Sequence, residues 1–440
     1  MRTIDKAASV FTRPFYAGHA GASRGDCWHF YLFWSFWLFL ALFPIGFVFR
    51  EVMPIISFIF LILYYRHERH NSVLARLNPR PLFYCLWLMI LIGIVCSNDP
   101  LDSLLHAGPV INKGFILPFI AMECVRAPRD LRRLVLACVV ACFWEGLDGV
   151  WQTCSGHDFI MGYETETGRL TGSMGGYFVG NYIALAIIPA FGLWYILRQK
   201  LSAVFSAVVC IFALWPAFYL LAGASARAGM LSVATAFGLW HILAHGGFKS
   251  ICTSKKIFQS AALAAAFLVL FFILSPRVLS DALFPVHDGR WSLWELGWRV
   301  FLEQPWFGAG AGQYNTAFRA LGLVPAYDLI TIEHPHNIYL DILYAHGIVG
   351  FCLGMLFLLG FACWGYKHIL PHLGDKPATT ANGMQSASDS NYWWLTAFFW
   401  IAFVGWLVNG LVGHNFYRMW YLALAMSYLG IMAGAIVNRP

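Results

Sequence analysis

Charged side chains are scarce: only 12% of the 440 residues are Asp, Glu, Lys or Arg, against about 25% in an ordinary soluble domain. Water is therefore not the main solvent of this chain. No CxxC pair occurs among its 11 cysteines, and Cys85, Cys138, Cys142, Cys210, Cys352 and Cys363 lie inside apolar runs, where cysteine behaves as a small hydrophobe. That pattern argues against a disulfide framework and a structural zinc site. Residues 1–26 carry Arg2, Asp5, Lys6, Arg13 and Arg24 without an apolar core, so no cleavable signal peptide is expected and the first apolar run reads as an anchor. The net charge of +7 has no separate basic domain behind it, which leaves nucleic acid out as an expected partner.

What the chain has in quantity is apolar length. Hydrophobic residues make up 59% of it, in runs near the roughly 20 residues that a membrane-crossing helix needs. The expected fold is an all-α integral membrane protein of about 12 transmembrane helices, over 29–49, 52–65, 81–96, 109–125, 131–151, 174–197, 201–223, 228–245, 257–275, 338–364, 393–411 and 416–437. Alternate joints collect the basic residues: Arg2, Lys6, Arg13 and Arg24; Arg66, Arg69, Arg76 and Arg80; Arg126, Arg129, Arg132 and Arg133; Arg198 and Lys200; Lys249, Lys255 and Lys256; Lys367 and Lys376; and Arg439. By the positive-inside rule those joints are cytoplasmic, as are both termini. Residues 1–275 then hold helices one to nine, 276–337 form a large periplasmic loop containing amphipathic helices, and 338–440 hold helices ten to twelve.

The few cations left on the outward side need another reason to be there, as does a loop too long to be a passive turn. Within it, Arg290 to Glu303 reads as an amphipathic helix with Trp291, Trp294, Trp298 and Phe301 at helical spacing and Asp288 as its N-cap. Such a stripe suits the membrane interface, and also suits stacking on sugar rings. Gly308, Gly310 and Gly312 follow Pro305 and read as a flexible joint, since no buried strand precedes them to make a dinucleotide loop. His334-Pro335-His336-Asn337 comes next. A His-x-His pair can bind metal, serve structure, or take a proton from a hydroxyl, and no Cys or acidic set beside it completes a metal shell. Arg227, in the tight joint Gly223 to Gly229, emerges at the outer boundary. There it can snorkel to lipid phosphate or act as a planar fork for a bound diphosphate, and Arg290 offers a second fork. Arg169, Lys113 and Arg418 are accessory candidates that topology or headgroup anchoring would equally explain.

Four stretches together resemble the O-antigen ligase and polymerase superfamily of bacterial envelope glycosyltransferases. They are Arg169 to Gly175 running on to Asn181; Ser225-Ala-Arg227-Ala-Gly229; Gly289-Arg290 with Trp291 and Trp294, leading to Pro305 to Gly310; and His334 to Leu340 with Gly347-Ile-Val-Gly350. The resemblance covers about residues 165 to 350. It implies an undecaprenyl-diphosphate-linked glycan as donor, a lipid A-core oligosaccharide as the acceptor of a ligase, metal-independent transfer without cofactor, and a site facing the periplasm from the inner membrane. By motif it assigns the essential histidine to His336, with His334 and Asn337 beside it, and the diphosphate arginines to Arg227 and Arg290. On chemical grounds the arginines would stabilise charge on the leaving diphosphate, and His336 would deprotonate the acceptor hydroxyl in a one-step, inverting displacement. A polymerase or a protein-glycosylating ligase would differ only in acceptor. A transporter is a rival of another class, against which stands the lack of a clear internal repeat.

Overall fold

A computed structural model describes residues 24–46, 48–176, 178–251, 290–323, 334–373, 383–413 and 416–439, with isolated positions between 258 and 269. Among these residues the fold is helical, without strands. Its main elements are α1 (Arg24–Leu42), α2 (Met53–Glu68), α3 (Leu82–Val95), α4 (Pro100–Pro109), α5 (Ile116–Glu123), α6 (Pro128–Ser155) and α7 (Val179–Ala190, extended by Gly192–Leu197). There follow α8 (Ala203–Gly223), α9 (Arg227–Ala244), α10 (Arg290–Glu303), α11 (Tyr314–Ala320), α12 (Ile338–Ile369), α13 (Gly383–Asn409) and α14 (Met419–Val437). Eight helices among the described residues are long and apolar enough to cross a membrane, or nine if the bent pair Pro100–Gly108 and Lys113–Glu123 counts as one span. Of the other expected spans, 81–96 is the shorter apolar helix Leu82–Val95 and 228–245 is α9, while 257–275 lies almost wholly outside the described residues, as does Asp288.

The helix joints sort to two opposite ends. At one end Arg126 pairs with Asp26 (2.9 Å), Arg76 bonds Asn438 (2.6 Å), and the Phe248 amide donates to the Tyr366 hydroxyl (2.9 Å). The joints expected to be cytoplasmic gather there. At the other end Ser173 Oγ donates to the Pro44 carbonyl (3.2 Å), the Leu170 amide to Gly223 (3.2 Å), and the Ile338 amide to Gly410 (2.8 Å). Loops 156–176 and 223–227 and the turn after α13 thus form one surface, built on helices whose inner faces are closely packed apolar side chains.

One part of that surface corrects the flexible joint expected at Gly308 to Gly312. Helix α12 breaks at Gly347, whose φ is +62°, and the break frees backbone groups on both sides. The chain from Pro305 to Gly310 fills it: the amides of Ala309 and Gly310 donate to the carbonyls of Tyr344 and Ala345 (2.8 and 3.0 Å), and those of Ile348 and Val349 donate to Pro305 and Trp306 (2.8 and 3.2 Å). On its far side the segment accepts bonds from Asn98, Ser97 and Ser103. A Cβ at Gly347 would stand 2.3 Å from the Trp306 carbonyl carbon, and one at Gly308 would stand 2.5 Å from the Ala345 carbonyl carbon. The glycines therefore permit two backbones to touch, and the segment is a fixed wedge because buried backbone groups must be paired.

Candidate functional site

The wedge fixes the long loop on α12. Helix α10 buries Leu293, Leu296, Gly297 and Val300 in a small core with Tyr314, Phe318 and Tyr344, and turns Trp291 (74% exposed) and Trp298 outward. The aliphatic stripe is thus the packed face, and Trp291 and Trp298 are left for an interface. Gly297 packs on Leu340, and the Ile348 amide donates to the Pro305 carbonyl, so α10 and the segment after it lie against α12. Arg290 is the first residue of α10.

The stretch from His334 to Asn337 is a sharp turn. His336 has φ +53°, a left-handed conformation uncommon outside glycine, and its amide donates to His334 Nδ1 (3.2 Å). His334 thereby spends one ring nitrogen on the turn itself. Asn337 is the N-cap of α12, its Oδ1 accepting from the Tyr339 and Leu340 amides at 3.0 Å each; this structural duty accounts for an Asn directly after His336. The same turn is anchored where the Ile338 amide meets Gly410.

Arg227 starts the helix that meets that anchor from the other side. It is the first residue of α9, after a turn in which Ser225 has φ +52°. A Cβ on Gly413 would lie 2.8 Å from the Ala228 Cβ, so the joint carrying Arg227 and the turn carrying His336 both rest on residues 410–413. Below them Asn409, fully buried, donates to Asn181 Oδ1 (3.2 Å) and Ser232 Oγ (3.0 Å), tying α13 to α7 and α9. Gly180 lets α7 approach closely, since a Cβ there would meet that of Ala226 at 2.5 Å.

The accessory candidates divide. Arg169 sits in a tight turn where it and Glu166 exchange backbone bonds (2.9 and 3.0 Å), and its neighbour Leu170 is bonded to Gly223, beside the Arg227 joint. Gln152 holds this loop through the Thr171 and Gly172 amides (2.9 and 3.1 Å). Lys113 is 1% exposed in a π-helical turn and ion-paired with Glu51 at 2.9 Å. Arg418 stands before α14, its guanidinium over the rings of Phe178 (5.3 Å) and Trp420 (5.6 Å).

Two groups here were not singled out from sequence. Asp341 Oδ2 accepts from the Phe416 amide (2.9 Å), and the Tyr417 hydroxyl meets His346 Nε2, so a buried network at the start of α12 fixes the chain just before Arg418. Burial, with the Asp341 carboxylate nearby, holds the Tyr417 hydroxyl well above its ordinary pKa and therefore protonated. The other is Arg50, described below. No three His, Cys, Asp or Glu side chains gather into a metal-ligand set among the described residues.

A bundle of long apolar helices describes a multi-pass membrane protein. Residues 212–355 match the family model described as O-antigen ligase, a span containing Arg227, Arg290, His334 and His336. The match supports assignment to the O-antigen ligase superfamily, and with it a membrane glycosyltransferase-like enzyme that uses a glycan donor and a lipid acceptor. A comparison with curated proteins gives no match.

Proposed function

We propose that this chain is an O-antigen ligase that moves a glycan from undecaprenyl diphosphate to a hydroxyl of lipid A-core oligosaccharide, at the periplasmic face of the inner membrane. One observation supports the reading: the turn of His336 and the joint of Arg227 rest on the same residues, 410–413. A base and two guanidinium forks at one membrane boundary suit transfer from a lipid diphosphate. The acceptor oxygen bonds to C1 of the donor sugar, His336 takes the hydroxyl proton, and the C1–O bond breaks with its electrons going to the diphosphate. Arg227 and Arg290 stabilise that leaving group without a divalent ion. The donor's hydrocarbon chain stays in lipid throughout, so no apolar surface is drawn into water. The strained φ of His336 fits a side chain aimed by its surroundings.

The reading requires the loop-rich end to face away from the cytoplasm. In a chain freed of its exposed native cysteines, an impermeant maleimide applied to intact spheroplasts is expected to label Cys at Thr165 and to leave Cys at Lys200 unlabelled, both positions being exposed but at opposite ends. Labelling of Lys200→Cys without Thr165→Cys would reverse the orientation and remove the site from the periplasm.

A further inference from the structure

Beside the proposed reaction centre, two arginines share one tryptophan. Arg50 lies over the Trp420 ring at 4.6 Å and Arg418 lies over the same ring at 5.6 Å and over Phe178 at 5.3 Å, the rings of Phe178 and Trp420 being 4.6 Å apart. Both cations come from chain held in unusual geometry. Arg50 is in a π-helical turn, Val48–Val52, that follows Gly46 with φ +112°, and its amide donates back to Gly46 (3.3 Å). A second π-helical turn, Val110–Phe115, is fastened to the first by the Lys113–Glu51 ion pair. Arg418 follows Phe416 and Tyr417, which the Asp341 and His346 network holds in place.

Among the described residues the Arg50 guanidinium lacks an acceptor on part of its edge. Arg50 Nη1 is buried and has no hydrogen-bond partner among the described residues. Its acidic neighbours are engaged: Glu51 Oε1 by Lys113, and Glu145 by the Ser173 amide (3.1 Å) and hydroxyl (2.6 Å). Among the described residues the Arg418 guanidinium lies over two rings and makes no side-chain hydrogen bond or ion pair. A buried guanidinium donor without an acceptor is costly, and ring stacking satisfies the face of the group while leaving its edge of N–H donors open. An edge of that kind matches the oxygens of a phosphoryl group.

We infer that Arg50 and Arg418, braced on Trp420, form a second oxyanion site that binds a lipid-borne phosphoryl group. The inference deepens the proposed function and rests on it for the lipid, because two phosphate-bearing lipids then approach this surface, donor and acceptor, besides the bulk phospholipid. Arg418 borders the start of α7 through Phe178, Arg50 joins it through Trp420, and Gly180 packs against Ala226 next to Arg227. A lipid whose phosphoryl group is held there is tethered next to the reacting hydroxyl and diphosphate, which raises its effective concentration.

The test is lipid binding by the delipidated full-length protein, comparing native chain, Arg50→Gln/Arg418→Gln, Arg50→Lys/Arg418→Lys and Arg227→Lys. The probes are undecaprenyl diphosphate, phosphatidylglycerol, lipid A with and without its phosphates, and diacylglycerol as the uncharged control. Binding of one phosphate-bearing lipid is expected to weaken about tenfold or more in the double Gln variant, as loss of charge-assisted bonds requires, and less in the double Lys variant. Native melting temperature without lipid shows that both variants fold. Loss confined to phosphorylated lipid A identifies the acceptor, loss of phosphatidylglycerol identifies bulk lipid, and loss of undecaprenyl diphosphate identifies the donor; each supports the site. Binding of every phosphate-bearing lipid at native strength by the folded double Gln variant overturns it. Arg227→Lys separates the two readings, because weakened undecaprenyl diphosphate binding there belongs to the reaction centre alone.

Discussion

Replacing His336 by Ala is expected to lower transfer by ~10² to 10⁴-fold, the usual contribution of a general base, while donor binding is kept. The donor is held by arginines on other elements, so the loss should fall on kcat and kcat/KM together rather than on KM alone. Because His336 has φ +53°, Ala there also strains the backbone, and His336→Asn is the cleaner companion, since Asn enters the left-handed region readily. Equal loss in both variants assigns the effect to the missing imidazole. His334→Ala should cost less, because its Nδ1 serves the turn by accepting the His336 amide. Were the pair to hold a catalytic metal, both histidines would be equally severe. Steady-state turnover of the three variants, at equal membrane abundance, decides between these patterns; an active His336→Asn enzyme removes the proposed base.

The second large effect concerns charge geometry rather than charge. Arg227→Lys and Arg290→Lys each keep a cation but lose the planar fork, so each should weaken transition-state binding by ~1.5–3 kcal/mol, roughly 10- to 150-fold in kcat/KM. Both residues begin helices, α9 and α10, where the backbone amide ends already favour an anion. The side chain then adds direction to a field that is already attractive. Normal kcat/KM for the donor in both Lys variants would return the two arginines to the role of lipid-headgroup anchors.

Much of the fold was legible in the sequence because its signals are local. Apolar runs announce spans, and the amphipathic stretch Arg290 to Glu303 forms the helix expected of it. The motifs of Arg227, Arg290 and His336 lie within the O-antigen ligase match. What stayed hidden depends on pairing between distant segments. Gly308 and Gly347 look like flexible or membrane glycines in isolation, and only their mutual contact shows a wedge in a broken helix. Lys113 reads as a cation near an outward end until Glu51, in another π-helical turn, is found 2.9 Å away. Asn337 reads as part of a catalytic motif, yet its side chain caps α12. Arg50 and Arg418 are far apart in the chain, and no period or spacing connects them; Trp420 does. Among the described residues a bent pair and a short apolar helix do not have the regular length on which hydropathy reading depends, which is why eight or nine helices pass as spans there.

The central claim is that arginines and a histidine at one membrane boundary transfer a lipid-linked glycan without a metal ion. Its most direct test is turnover of the EDTA-treated, purified full-length protein given undecaprenyl-diphosphate-linked glycan together with lipid A-core acceptor, with product identity and anomeric configuration read at the new bond. The account predicts undiminished turnover under chelation, a product on lipid A-core and inversion at C1. Transfer that stops with chelator, retains the configuration at C1, or only lengthens the lipid-linked glycan would contradict it.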